Sequence, residues 1–226
     1  MLPAACTAAA APPPPSLQLL FRELFGEEEG EEEAADAPPA PLPPGAFLLK
    51  RFLSKGEEAA ALGAASSLFG PGGNQAMRFG ALPDFCAALG ARVPRALLPP
   101  GRLDDAPPFD QLIANAYAAG EGIAPHVDLD KFEDGIAAFS LGAPALMAFE
   151  RVAVDGGGGG GGGGELPPAA AAASGRREAL LEGGDLLVLT GEARWSWRHG
   201  IAACAGRRVS LTLRKLRAGI VLDMPG

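Results

Sequence analysis

Two histidines occur in the 226-residue chain, His126 and His199. His126 opens the tripeptide His-Val-Asp. In an extended segment residues two apart share a face, so His126 and Asp128 can grip one ion from adjacent directions. His199, arriving from a distant segment, would complete a set of two imidazole nitrogens and one carboxylate oxygen. A facial set of this kind leaves positions open for a chelating co-substrate and for oxygen, as non-haem Fe(II) chemistry requires. Zinc with a bound water accepts the same donors, so donor type alone leaves the metal open.

A second pattern lies close behind. Residues 208–214 read Arg-Val-Ser-Leu-Thr-Leu-Arg, with Arg208, Ser210, Thr212 and Arg214 on one face and Val209, Leu211 and Leu213 on the other. An ordinary half-buried strand turns such a polar face to solvent. Turned instead into a barrel mouth beside His199, it would carry two guanidinium groups next to the metal. A guanidinium holds a carboxylate bidentately and keeps its charge, which suits the far carboxylate of a dicarboxylate such as 2-oxoglutarate.

These residues need elements to position them. Ser54 followed by Glu57 forms a capping-box pattern that predicts a helix to about Leu68, ended by Gly70 to Gly73. A short helix is expected over 84–90, before Pro94, Pro99 and Pro100 break regularity. From Phe109 onward the pattern is one of short strands, expected over 109–118, 135–141, 145–152, 185–190, 194–199 and 207–216. Helices followed by many short strands predict an α+β protein with a sandwich or barrel core.

The net charge of −8 is unevenly spread. Residues 1–45 hold Arg22 against eight Asp/Glu, whereas residues 176–217 hold nine Arg/Lys against four Asp/Glu. The segment 1–45 is Pro/Ala/Glu-rich and is expected to be a disordered tail, with a short amphipathic helix over Leu17 to Phe25. The domain is then expected over 46–226, with a Gly/Ala-rich loop insertion at 155–176 that contains nine consecutive glycines. No apolar run of about 18 residues is present, so no membrane span is expected. Cys6, Cys86 and Cys204 are odd in number and widely spaced, which suits a reducing compartment, cytoplasm or nucleus.

Taken in order, several segments resemble the AlkB-like branch of the Fe(II)/2-oxoglutarate dioxygenases. They are Asn115-Ala-Tyr117, GEGIAPHVD ending at Asp128, Phe132-Glu-Asp134, Ser140-Leu-Gly142, LLVLTGEARWSWRHGI from Leu186 to Ile201, and RVSLTLR from Arg208. NQAMRFG, from Asn74 to Gly80, is similar to the segment that leads into the family's substrate lid. Within the family the chain looks most like the tRNA-modifying AlkB homologues. The resemblance implies a double-stranded β-helix (jelly roll) with Fe(II) on His126, Asp128 and His199. It implies 2-oxoglutarate on Arg208, with Arg214, Asn115 and Tyr117 completing that site, and O2 as the oxidant. Asn115 and Tyr117 also share a face of their predicted strand.

The implied reaction converts 2-oxoglutarate to succinate and carbon dioxide while a substrate C–H bond is hydroxylated. The implied substrate is a modified nucleobase in nucleic acid, RNA or tRNA above all, entering flipped or unpaired. Asp130, Arg78, Phe79 and Phe132 are the candidate substrate residues. Arg194 and Arg198, alternating with His199, are expected opposite the metal face, where with Arg176, Arg177, Arg207 and Arg217 they could meet a phosphate backbone. The stretch from Gly80 to Arg102, where the lid should lie, is Ala/Pro/Leu-rich and looks eroded. A monomer is expected. The alternatives are an oxygenase acting on a protein or small molecule, and a degraded binding protein.

Overall fold

The computed structural model describes residues 41–101, 107–152 and 175–220. The expected helix over Leu17 to Phe25 and nearly all of the tail and glycine insertion lie outside these residues. The described chain runs β1 (Ala46–Leu49), α1 (Lys55–Ser66), β2 (Gln75–Phe79), α2 (Asp84–Ala91) and a 3-10 turn (Arg95–Leu97). It continues through β3 (Gln111–Tyr117), β4 (Ile123–His126), β5 (Ile136–Gly142), β6 (Ala145–Arg151), β7 (Arg177–Leu181) and β8 (Leu186–Leu189). It ends with α3 (Gly191–Trp195), β9 (Trp197–Cys204) and β10 (Arg208–Arg214).

The strands form two antiparallel sheets, a six-stranded one in the order β1-β8-β5-β10-β3-β2 and a four-stranded one in the order β4-β9-β6-β7. This is the expected jelly roll with N-terminal helices. β10 lies in the middle of the larger sheet, and its alternation decides what each face does. Val209, Leu211 and Leu213 are buried with Leu112, Ala114, Phe139 and Leu141 under Ala61 and Ala65 of α1 and Cys86 and Leu89 of α2. The opposite face looks toward the smaller sheet. There Tyr117, Ile136 and Leu187 share a second core with Met147, Phe149 and Ile201. The polar face of β10 therefore points inward, because the helices already cover the apolar one.

Helix α1 begins as expected. The Ser54 hydroxyl accepts from the Glu57 backbone N–H, and the Glu57 carboxylate accepts from the Ser54 N–H at 2.8 Å. The predicted strand over 194–199 is different. Residues Gly191–Trp195 form a turn of helix, and the strand starts at Trp197 and runs on to Cys204. Two features favour that turn over an extended start: Gly191 adopts φ +50°, and its N–H is held by the Asp134 carboxylate at 2.9 Å. β1, β2, β4 and β7, each four or five residues long, are not among the expected strands.

Asp185 ties β1 to β8. Its side chain is fully buried and accepts from the Arg51 N–H at 2.8 Å, the Glu182 N–H at 2.7 Å and the Lys50 ammonium at 2.7 Å. Among the described residues Arg51 is the non-glycine residue held at positive φ (+53°), so this carboxylate fixes a turn that the backbone does not prefer. Asp185→Ala removes the acceptor of the Arg51 and Glu182 N–H groups around a buried gap, while Lys50 keeps Glu182 and the Leu180 carbonyl. It should lower the unfolding free energy by roughly 3 kcal/mol, read as a lower urea midpoint at unchanged m-value.

Candidate metal centre

His126 ends β4 and His199 lies directly opposite it on β9. Their rings are 4.7 Å apart between centroids and tilted by 49°. Asp128 follows two residues later, only 6% exposed. Each of the three residues offers a ligand atom, and these atoms all lie within 4.8 Å of one another. Close approach of the two backbones depends on glycine. A Cβ at Gly200 would meet the Ile123 carbonyl and the Pro125 nitrogen at 2.8 Å, and one at Gly122 would collide with the Ile201 and Ala202 carbonyls.

Neighbouring groups prepare the donors. The Nδ1–H of His126 donates to the Ala124 carbonyl at 2.9 Å, which leaves Nε2 with the free lone pair. Burial pushes His199 down to about 4, the Asp128 charge opposing and His126, Arg214 and Arg194 adding to the fall. His199 is thus neutral near pH 7, the form that ligates a metal. Its 3.5 Å approach to Asp128 is a neutral ring beside a carboxylate rather than an ion pair. Arg214 forms an ion pair with the Asp128 carboxylate at 2.7 Å, and the other oxygen lies toward His199. Two imidazoles and one carboxylate fit a divalent iron.

The cavity beside this cluster measures about 320 Å³. Its wall on the larger sheet carries Asn115 and Tyr117 from β3 and Arg208, Ser210, Thr212 and Arg214 from β10. The register sets Arg208 opposite Tyr117 and Ser210 opposite Asn115, so the expected co-substrate residues form one patch. Arg208 is 2% exposed; one nitrogen donates to the Ser140 hydroxyl at 3.0 Å, and Nε and Nη1 have no partner. A buried guanidinium with unused donors is costly alone and is completed by an anion. The site therefore fits a carboxylate co-substrate as well as a metal. Burial raises the Tyr117 hydroxyl, against the pull of Arg208, which keeps it a neutral donor. Asn115 accepts from the Gln75 amide at 2.8 Å.

The candidate substrate residues are not gathered in the same way. Asp130 is exposed, and Phe79 is half-buried on the cavity side of β2 with Lys131 5.8 Å from its ring. Arg78 lies on the other face of β2, exposed, and donates to the Met77 carbonyl. Phe132 is 2% exposed, packed beneath Arg214. The basic residues also divide. Arg198, Arg207 and Arg217 are exposed, while Arg177 donates to the Pro41 and Leu42 carbonyls. Arg194 departs furthest from expectation. It lies on α3 rather than on an alternating strand, is 1% exposed, and binds backbone carbonyls of the Asp128 loop. The stretch expected as a lid belongs instead to the outer core, through Cys86, Leu89, Val93 and Leu98. Gln111 is a polar side chain that sequence reasoning passed over, fully buried on the cavity face of β3 with no partner at either polar atom.

Comparison with known proteins bears on this geometry. The chain is 34% identical over 123 residues to an Arabidopsis thaliana protein described as an alkylated DNA repair protein ALKBH8 homolog, covering 48% of this chain and 35% of that protein. It is 36% identical over 124 residues to the Xenopus tropicalis tRNA (carboxymethyluridine(34)-5-O)-methyltransferase alkbh8, covering 54% of this chain and 15% of that protein. The chain thus spans a minor part of these relatives. Among solved structures it is similar to OsALKBH1, with a TM-score of 0.57 and 18% identity over 78% of this chain and 100% of that one. It also matches a Pseudomonas putida prolyl-4-hydroxylase, with a TM-score of 0.51 and 13% identity over 76% of this chain and 93% of that one. The sequence model of the 2OG-Fe(II) oxygenase superfamily matches residues 72–214, well over half of the chain. The chain belongs to that superfamily, whose description implies Fe(II) and 2-oxoglutarate with O2 as oxidant, and within it the chain is similar to AlkB homologues.

Proposed function

We propose that this dioxygenase oxidises a modified nucleobase in nucleic acid, RNA and in particular tRNA, with His126, Asp128 and His199 holding the iron. The observation that carries the site assignment is the buried Arg208, whose Nε and Nη1 lack partners in the cavity that also contains the three candidate ligands. With iron bound, the centre supplies oxidation of a C–H bond coupled to conversion of 2-oxoglutarate to succinate and carbon dioxide. An oxidised N-methyl group would leave as formaldehyde; another carbon would keep its hydroxyl.

The chain's own side chains do the positioning. Arg208 anchors the far carboxylate of 2-oxoglutarate, its charge made strong by the dry wall and its direction set by the Ser140 hydroxyl. Tyr117 and Asn115 add neutral hydrogen bonds from the next strand. Arg214 holds the Asp128 carboxylate and caps that end of the site. Nucleic acid as the substrate class is supported by the tRNA-modifying relative and by the exposed Arg198, Arg207 and Arg217. Phe79, half-buried with Lys131 over its ring, is the candidate stacking surface for a base. Asp130, exposed two residues past Asp128, is the candidate contact to its edge.

Succinate release by Fe(II)-loaded protein should be stimulated by methylated tRNA and should fall to background in His126→Ala. Turnover that ignores tRNA would redirect the search to protein or small-molecule substrates. No turnover in either protein would favour a degraded binding protein. Arg208→Ala should weaken 2-oxoglutarate binding by roughly ten- to a hundred-fold, the value of a charge-assisted contact, and leave metal affinity unchanged. Unchanged co-substrate affinity would remove Arg208 from this role.

A further inference from the structure

Arg194 is a buried cation whose three hydrogen bonds all go to backbone carbonyls, while its Nε has no partner. Its side chain is 1% exposed; Nη1 donates to the Asp128 carbonyl at 3.0 Å, and Nη2 donates to the Leu129 carbonyl at 2.7 Å and the Phe132 carbonyl at 3.3 Å. Its guanidinium carbon is 4.0 Å from the centroid of the Trp195 ring, and Arg217 approaches the same ring at 5.1 Å. Burying a charge is expensive, and packing alone could be done by an apolar side chain. What a guanidinium adds is a rigid planar fork that aims several N–H groups at once, which the single ammonium of lysine does not reproduce.

All three acceptors lie in the loop that begins at Asp128, and the donor lies five residues before His199 on the chain that leads into β9. Before a metal binds, Asp128 and His199 belong to separate segments, and nothing covalent sets their spacing. Arg214 restrains the Asp128 carboxylate, but from β10 and not from the His199 segment. Pairing of β4 with β9 sets His126 opposite His199, and Arg194 adds a tie from the His199 segment to the Asp128 loop that follows β4. We propose that Arg194 is a positioning residue that fixes the backbone of the Asp128 loop relative to His199, so that the ligand set is formed before the metal arrives. This inference rests on the assignment of His126, Asp128 and His199 as the metal ligands.

The test uses Co(II) titration of the full chain, read by its visible absorption bands, with wild type, Arg194→Met, Arg194→Lys, His126→Ala and Leu89→Ala. Leu89 packs in the outer core and serves as a destabilised control away from the site. Arg194→Met is expected to weaken Co(II) binding at least tenfold and to alter the band shape, because the Asp128 backbone is no longer held. Arg194→Lys should recover only part of the affinity. Leu89→Ala should bind as wild type although its thermal stability falls. With metal at saturation, the 2-oxoglutarate affinity of both Arg194 variants should stay within twofold of wild type. Wild-type Co(II) affinity and spectrum in Arg194→Met, or full rescue by lysine, would overturn the proposal. If Arg194→Met does not fold, the lysine variant alone decides, partial loss supporting the proposal and full affinity refuting it. Wild-type Co(II) binding in His126→Ala would show instead that the ligand assignment beneath it is wrong.

Discussion

A carboxylate sealed between two sheets must have its charge answered, and the organisation of this molecule around Asp128 follows from that constraint. Asp128 is 6% exposed and receives Arg214 at 2.7 Å on its side chain and Arg194 at 3.0 Å on its carbonyl. Arg214 can reach it only if the polar face of β10 points inward. That orientation requires the apolar face of the same strand to be covered, and α1 and α2 cover it. The helices of the N-terminal portion are therefore structural partners of the site without touching it. Removing their cover would expose Val209, Leu211 and Leu213 and weaken the reason for Arg208 and Arg214 to face the cavity.

The two cores carry different duties. The outer one, between the helices and the larger sheet, is mostly apolar, with Glu58 of α1 accepting from the Gly142 N–H, and can supply most of its stability by area. The inner one is interrupted by a polar wall, where Arg208 keeps unused donors and Gln111 has no partner at either polar atom. Such groups cost folding free energy in the absence of ligands. The fold tolerates them because the outer core, the antiparallel ladders and the Asp185 tie at the β1 turn are independent of the cavity. Stability is concentrated on one side of the larger sheet and chemistry on the other.

Much of this was legible in the chain. His-Val-Asp, the strict alternation of residues 208–214 and the Ser54–Glu57 box each rest on a local rule, and each lies in the element that the rule predicts. Alternation could not say which face of β10 was inside, since that depends on helices far away in sequence. It failed outright at Arg194. The order Arg-Trp-Ser-Trp-Arg-His reads as a strand with arginines outward, but Gly191 and the Asp134 contact start a helical turn and carry Arg194 inward. The stretch from Gly80 to Arg102 misled for a related reason. Its Ala and Leu content looks eroded for a lid and is ordinary for a helix packed on a sheet, as Cys86 and Leu89 of α2 are.

Electrostatics links the metal, the co-substrate and the three arginines. Arg194, Arg208 and Arg214 are all held in the low-dielectric interior, and burial lowers the basicity of each. Asp128 bears on Arg194 and Arg214, Asp134 also on Arg194, and Asp185 on Arg208 although it is committed to Lys50 and two backbone groups, while His199 is neutral. The cluster is already cationic, and a divalent metal makes it more so. A dianion that spans from the metal to Arg208 restores balance at both ends, whereas a monoanion would leave one end unanswered. A neutral molecule of the same length would leave both the iron and the guanidinium undercompensated in a dry pocket. On the proposed assignment the fit to a dicarboxylate is a property of the whole buried charge set, in which Arg208 has two donors without partners and Arg194 and Arg214 one each.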